Sequence, residues 1–491
     1  MKRILFAVTA AILTGCAEGG GSNSSSLPKS ATGSVSCEIP SRESIIASTS
    51  ETETNMLVNS NEDISTYQNF IVKYKSEQTE GLVPSGNPVR EYVVRGVTFK
   101  ALAKDSFTFE LTGSADERKQ IIDELRADQS VEYVEPDYPI YTIDSMEAND
   151  ADVGDDISET TNDTYFSSQW MHQNVQSEKA WTVTTGSKNV VVAVLDSGID
   201  YTHKDLKNNM WINPQETVNG KDDDKNGYID DIYGWNFVSN NANPKTTSSS
   251  NHGSHVAGII GATGSNNLGV VGMSPTVRLM ALRFIGESGS GTTSGAIKGI
   301  DYAVSKKVFA INNSWGSGGT SKALQEAITR AEKAGVLFLV AAGNGSNHVG
   351  FNIDKTGYYP AAYPNSNIMA VAATKTNDYL TTFSNFGLTR VDVAAPGASI
   401  LSTVSNQGYQ KMSGTSMATP LVTGLAALVK AANPKLTYKE VIQIIRGTVD
   451  KTASLAGKVA SGGRVNAYKA VSLAAKNVET PPGEKIEIPC P

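Results

Sequence analysis

From Tyr67 the chain alternates apolar and polar positions. YQNFIVKYK reads as a strand and FTFELTG at 107–113 as a second, because successive strand side chains face opposite sides. ADERKQIIDELRAD at 115–128 shifts to helical spacing, and VEYVEPDYPIY at 131–141 returns to an extended pattern. Strand, strand, helix and strand predict a small α+β domain over 66–141.

From 165 to 475 the texture changes. NVVVAVLDSG (189–198) is continuously apolar, as expected of a strand buried on both faces of a parallel sheet. HGSHVAGIIGAT reads as a helix, RLMALRFIG as a strand and SGAIKGIDYAVSK as a helix. VFAINNSWG then reads as a strand, KALQEAITRAEKAG as a helix, and VLFLVAAGN and NIMAVAATK as strands. This alternation predicts a three-layer α/β domain with a mostly parallel sheet. In such sheets the chemistry collects at the carboxyl ends of the strands.

The remaining segments read as connections and ends. Residues 142–163 carry eight acidic residues and no basic one. A linker over 142–164 is therefore solvated, and a cut there costs no folded structure. Residues 16–65 are a Gly-, Ser-, Thr- and Glu-rich tether, and 476–491 a short tail. MKRILFAVTAAILTGC has a basic start, a short apolar run and small residues at its end, the pattern of a secretory signal over 1–15. Leu13-Thr14-Gly15-Cys16 resembles the lipobox of bacterial lipoproteins, and acylation of Cys16 would tether the chain to a membrane on the cell envelope. Export permits disulfides. The spacing of Cys37 and Cys490 leaves a bond between them and two free thiols equally open. A net charge of -8 argues against nucleic acid as a partner.

Three polar residues stand where apolar patterns end. Asp196 closes the strand in VLDSGID, His252 opens a helix in NHGSHVAG, and Ser416 opens the last long helix in GTSMATP. Each has a plain reading as a turn or helix cap. Together, and flanked by glycines that let other chains approach, they also form a nucleophile, a base and an orienting carboxylate. A serine hydroxyl is a weak nucleophile until a base takes its proton. A neutral imidazole can take it, and a buried carboxylate fixes the imidazole tautomer and stabilises the imidazolium.

These motifs, in this chain order, resemble the active-site motifs of the subtilisin family (subtilases) of serine endopeptidases. YFSSQW, LRFIGESGSG, AAGN, YPAAYP and DVAAPG fit in order before and between them, so the resemblance covers roughly 165–475. Residues 66–141 resemble the family's inhibitory propeptide. The resemblance implies polypeptide substrates, a triad of Asp196, His252 and Ser416, and an oxyanion hole made by the Asn344 amide and the Ser416 N–H. It implies that a peptide is clamped between ESGSGT, with Ser288, Gly289 and Ser290, and NSWGSGG, with Ser314, Trp315 and Gly316. Trp315 and Tyr358 are expected to narrow the first specificity pocket. The propeptide is expected to act as an intramolecular inhibitor, cut within the acidic linker. Pro420 is expected in the first turn of the Ser416 helix, where a missing N–H matters little. Leu421 replaces the family's usual His and Ser254 its commoner Thr, neither of them in the triad.

DDDKNGYIDD (222–231) places oxygen side chains at Asp222, Asp224 and Asn226, a Gly at 227, then Asp230 and Asp231. Its start matches a calcium loop, though it lacks a terminal Glu and also reads as a solvated acidic loop. A second calcium site, at Asp163, Asp205 and Asn266, is implied by the resemblance alone. His and Cys show no zinc spacing. Two other functions stay open at this stage: a catalytically silent surface binding protein on the same fold, and a protease that matures a single partner.

Overall fold

The computed structural model describes residues 63–75, 91–94, 97–103, 105–143, 161–247, 250–347 and 349–477. The signal, nearly all of the tether, residues 144–160 of the linker and most of the tail lie outside the described residues, and with them Cys16, Cys37 and Cys490.

The first part of the described chain is a five-stranded antiparallel sheet with one helix. Its strands are β1 (Asn69–Tyr74), β2 (Glu91–Val94), β3 (Val97–Ala103), β4 (Ser106–Glu110) and β5 (Val131–Pro136), in the order β2-β3-β4-β1-β5. The helix Ala115–Ala127 starts where Ser114 and Glu117 form a reciprocal capping box. Ile122 reaches from the helix into a core of Phe70, Val72, Phe99, Phe107 and Phe109. The rings of Phe70 and Phe109 stack at 5.5 Å. Two expectations change here. β2 and β3 add a hairpin that the sequence pattern did not reveal. The single extended run expected over 131–141 is two strands in two sheets, β5 and then β6 (Pro139–Thr142). Pro139 brings no N–H to a ladder, and the chain crosses at Asp137 and Tyr138 to a different partner.

The larger part is the expected three-layer α/β domain. Nine strands run in the order β18-β19-β15-β14-β13-β11-β7-β9-β8. They are β7 (Gly186–Asp196), β8 (Gly234–Asn236), β9 (Thr276–Arg283), β11 (Ala310–Asn313), β13 (Leu337–Ala341), β14 (Ile368–Thr374), β15 (Val393–Pro396), β18 (Asp450–Lys451) and β19 (Gly463–Arg464). All neighbours are parallel except the edge pair β18 and β19. β7 shows why its run is continuously apolar. Val192 and Val194 enter the core beneath the helices His252–Gly261 and Thr415–Ala432. Ala193 and Leu195 enter the core beneath Thr293–Ser305 and Lys322–Lys333. A separate three-stranded sheet places β6 between β10 (Ser290–Thr292) and β12 (Trp315–Gly316), antiparallel to both.

Candidate active site

Asp196 is the last residue of β7 and is fully buried. His252 is the first residue of its helix, and its Nδ1 lies 2.7 Å from Asp196 Oδ1. That oxygen also accepts the Ser197 N–H at 2.7 Å, which fixes the carboxylate's direction. Gly253 permits the approach: a Cβ there would stand 2.3 Å from the Gly198 carbonyl oxygen. A side chain at this position would push the histidine helix off the strand end.

Ser416 is the second residue of the helix Thr415–Ala432, and Asn344 follows β13. Asn344 Oδ1 accepts the Thr415 N–H and the Thr415 hydroxyl, each at 2.9 Å. With its oxygen held at the helix N-terminus, the amide must present its NH₂ outward. There Asn344 Nδ2 donates to the carbonyl oxygen of Ile143 at 2.7 Å. Ser416 Oγ lies 3.0 Å from the same oxygen and 3.1 Å from the Ser314 carbonyl. Pro420 stands in the second turn of this helix, further in than expected. Its missing N–H leaves the Ser416 carbonyl without a helical donor. The Ser314 hydroxyl fills that gap at 3.0 Å.

Ile143 arrives through β6. Tyr141 and Ile140 pair with Ser290 and Gly291 on one side, and Thr142 and Tyr141 with Trp315 and Gly316 on the other. The Thr142 N–H donates to the Gly289 carbonyl at 3.0 Å. Of the six expected clamp residues, Gly289, Ser290, Trp315 and Gly316 touch this strand through the backbone. Ser314 sits beside Ser416, and the Ser288 hydroxyl bonds that of Ser290 at 2.7 Å. The Trp315 ring lies beneath the filled cleft. It is fully buried, donates from Nε1 to the Leu195 carbonyl at 2.9 Å, and meets Phe284 edge to face.

Just before β6, two carboxylates of the small domain dock on the large one. Glu135 accepts from the Ser321 hydroxyl at 2.6 Å and from the N–H groups of Lys322 and Ala323 at 2.9 and 3.2 Å. Asp137 accepts from the N–H and hydroxyl of Ser294 at 2.8 and 2.6 Å. Each therefore meets the positive end of a helix, Lys322–Lys333 and Thr293–Ser305. Burial pushes the Glu135 carboxyl up to about 7 in spite of these hydrogen bonds, and burial raises Asp137 as well. Lys73 and Lys322 add ion pairs across the junction, to Glu326 at 2.9 Å and to Glu132 at 2.7 Å.

A paired Asp and His, together with a helix-start serine and a side-chain amide that meet at one peptide carbonyl, are the parts an acyl-transfer site needs. Residues 187–470, more than half of the chain, match the Subtilase family. The chain belongs to that family. Among similar subtilases, Thermophilic serine proteinase of Bacillus sp. (strain AK1) is 36% identical over 72% of this chain and 75% of its own length. Thermitase of Thermoactinomyces vulgaris is 36% identical over 64% of this chain and 99% of its own. Subtilisin-like protease 1 of Plasmodium berghei (strain Anka) is 38% identical over 64% of this chain, and the match spans only 56% of that protein. The match to its Plasmodium falciparum (isolate 3D7) counterpart, at 37% identity, spans 44% of that protein.

The subtilase's acidic loop is held by its own backbone N–H groups. Asp222 turns its oxygens to the N–H groups of Asn226 and Gly227, at 3.0 and 2.8 Å, and Asp230 accepts from those of Asn219 and Gly220. Asp224 and Asp231 converge instead with Glu216, their oxygens within 4.8 Å of one another. Asn226 Nδ2 reaches Asp231 at 2.8 Å. Lys306 Nζ lies 2.5 Å from Asp224 and 3.2 Å from Asp231. Three carboxylates against one ammonium leave an excess of negative charge, so the donor set fits a hard divalent cation. The expectation from sequence missed Glu216, which lies outside the acidic run and is brought in by the fold. At the second location, Asn266 joins the two acidic residues. Its backbone N–H donates to Asp163 at 3.3 Å and its side-chain amide to Asp205 at 2.9 Å. These oxygens also suit calcium.

Proposed function

We propose that this subtilase is a serine endopeptidase made as a zymogen, and that its first substrate is its own bond between Ile143 and Asp144. The observation that carries the reading is the Ile143 carbonyl, within 2.7 Å of Asn344 Nδ2 and 3.0 Å of Ser416 Oγ, on a strand clamped along both edges.

Ser416 Oγ attacks the Ile143 carbonyl carbon and its proton passes to His252. Asp196 stabilises the imidazolium. The charge growing on the carbonyl oxygen is met by Asn344 Nδ2 and the Ser416 N–H. The C–N bond to Asp144 breaks, and His252 returns the proton to the leaving nitrogen. Ile143 remains as an ester on Ser416. His252 then takes a proton from water as the water attacks the ester, and Ser416 recovers its proton as the Ile143 carboxyl leaves. The freed strand β6 keeps the cleft filled, with Glu135 and Asp137 as its anchors, so cleavage precedes activity.

Calcium, held by Glu216, Asp224 and Asp231 and by Asp163, Asp205 and Asn266, supplies charge neutralisation that stabilises the fold. Export through residues 1–15 and anchoring through acylated Cys16 complete the reading. Loss of palmitate labelling in Cys16→Ser tests the anchor. Labelling by a serine-directed fluorophosphonate tests the enzyme: the processed protein should take up one equivalent and lose peptidase activity with it. Ser416→Ala should take up none.

A further inference from the structure

The large domain carries a recognition surface outside the cleft. We propose that the starts of the helices Thr293–Ser305 and Lys322–Lys333 form a docking site for an acidic stretch of a partner polypeptide, a Glu and an Asp two residues apart, and that this site recruits proteins to the peptidase. The proposal rests on the serine-peptidase reading above.

The small domain shows what this surface holds. Glu135 and Asp137 each bring a carboxyl to one helix start, where the hydroxyls of Ser321 and Ser294 and the N–H groups of Lys322, Ala323 and Ser294 donate to them. The first N–H groups of a helix have no partner within it, so departure of the small domain leaves these donors to water or to another acceptor. Lys298, one turn beyond Ser294, adds a positive charge that favours the Asp137 carboxylate. Residues two apart in an extended segment share a face, so a Glu-x-Asp pair meets both helix starts at once. Asp137 precedes Ile143 by six residues and Glu135 by eight, so a segment docked here leads along the path of β6 into the cleft.

The large domain builds both places by itself. Fully buried Tyr363 accepts the Ser321 N–H at 2.8 Å and donates to the Ser321 carbonyl at 2.7 Å. The Ser321 hydroxyl accepts the Leu324 N–H at 3.1 Å, which turns its own proton outward to Glu135. Ser294 is buried, and the Thr292 hydroxyl holds its helix start by accepting the Gly295 N–H at 3.1 Å. All of these contacts lie within the large domain and outlast release of the small one. Donors fixed in advance lose little freedom when an acceptor arrives, so the surface is ready for a second acidic segment.

The test uses the processed, active enzyme and fluorogenic peptides built on VEPDYPIYTI. Replacing both the Glu and the Asp by Ala should raise KM at least ~10-fold with kcat unchanged, the loss expected of hydrogen bonds to carboxyl groups made equally before and in the transition state. The order VPEDYPIYTI keeps the charge but breaks the spacing, and should cost as much. In Ser294→Ala the ratio of KM between peptides with Ala and with Asp at that one position should fall below about threefold. The wild-type panel stands alone if that variant does not fold. Equal KM for the acidic and the Ala peptides, or for the two spacings, overturns the proposal; with fluorophosphonate labelling intact, the peptidase reading stands. No cleavage and no labelling of Ser416 removes both.

Discussion

Glu135 is the most exposed point of the account to a quantitative test. Its carboxyl is pushed from 4.5 up to about 7 where the small domain meets the helix Lys322–Lys333. Release of the small domain after the proposed cut would return Glu135 to water and to its ordinary value. Between these two values the complex binds a proton that the separated partners do not. Its grip is therefore full below pH 4.5 and weakens as pH rises, levelling off above about 7. The step from 4.5 to about 7 is worth about 3.4 kcal/mol, a loosening of roughly 300-fold. Glu135 keeps part of its surface in solvent, so this is an upper figure. The assay is the dissociation constant of the cleaved pair from pH 4 to 8, in wild type and in Glu135→Gln. The amide still accepts hydrogen bonds at the helix start but cannot titrate. Wild type should lose affinity over this window, and the variant should lose ~10- to 300-fold less. An affinity that instead tightens with rising pH would mean that the Lys322 and Ala323 N–H groups outweigh burial, and the reasoning fails.

Other outcomes follow from single contacts. Burial lowers the His172 ring from 6.5 to about 4, so its contribution to stability is present above pH 6.5 and lost as pH falls through 4. That is worth up to about 3 kcal/mol, and a plot of melting temperature against pH should fall less steeply in His172→Gln. Ser314→Ala leaves the Ser416 carbonyl without its donor above Pro420. It should cost about 1–3 kcal/mol, or about 2–4 °C of melting temperature per kcal/mol, read by calorimetry. Chelation of calcium should lower the melting temperature, by the equivalent of about 2.7 kcal/mol if calcium stood at a hundredfold over its Kd. Asp231→Asn should shrink that chelator effect; an unchanged effect would point away from the cluster of Glu216, Asp224 and Asp231.

The chemistry-bearing ends were legible in the chain because each interrupts an apolar run with a polar residue among glycines. Asp196, His252 and Ser416 could be picked out on that pattern and Asn344 by resemblance; the fold pairs Asp196 with His252 and brings Ser416 and Asn344 to one carbonyl. What stayed hidden depends on contacts between distant segments. VEYVEPDYPIY looks like one strand, yet its halves belong to two sheets because Asp137 finds the helix start at Ser294. The indole N–H of Trp315 finds its carbonyl at Leu195, a partner 120 positions away that no local pattern reveals. Glu216 sits six positions before the acidic run and carries no local signal, and the turns that Asp222 and Asp230 close are equally invisible in the sequence. The hairpin of β2 and β3 lies in a stretch whose alternation is too short to register as two strands.

The central claim is that the residues around Ile143 cut the chain there. Its most direct test is intact mass and N-terminal sequence of the purified protein, expressed without the lipid signal, as wild type and as Ser416→Ala. The account predicts a wild-type chain beginning at Asp144 and a mutant that stays whole. Two whole chains, or a mutant cut at the same bond as the wild type, would contradict it.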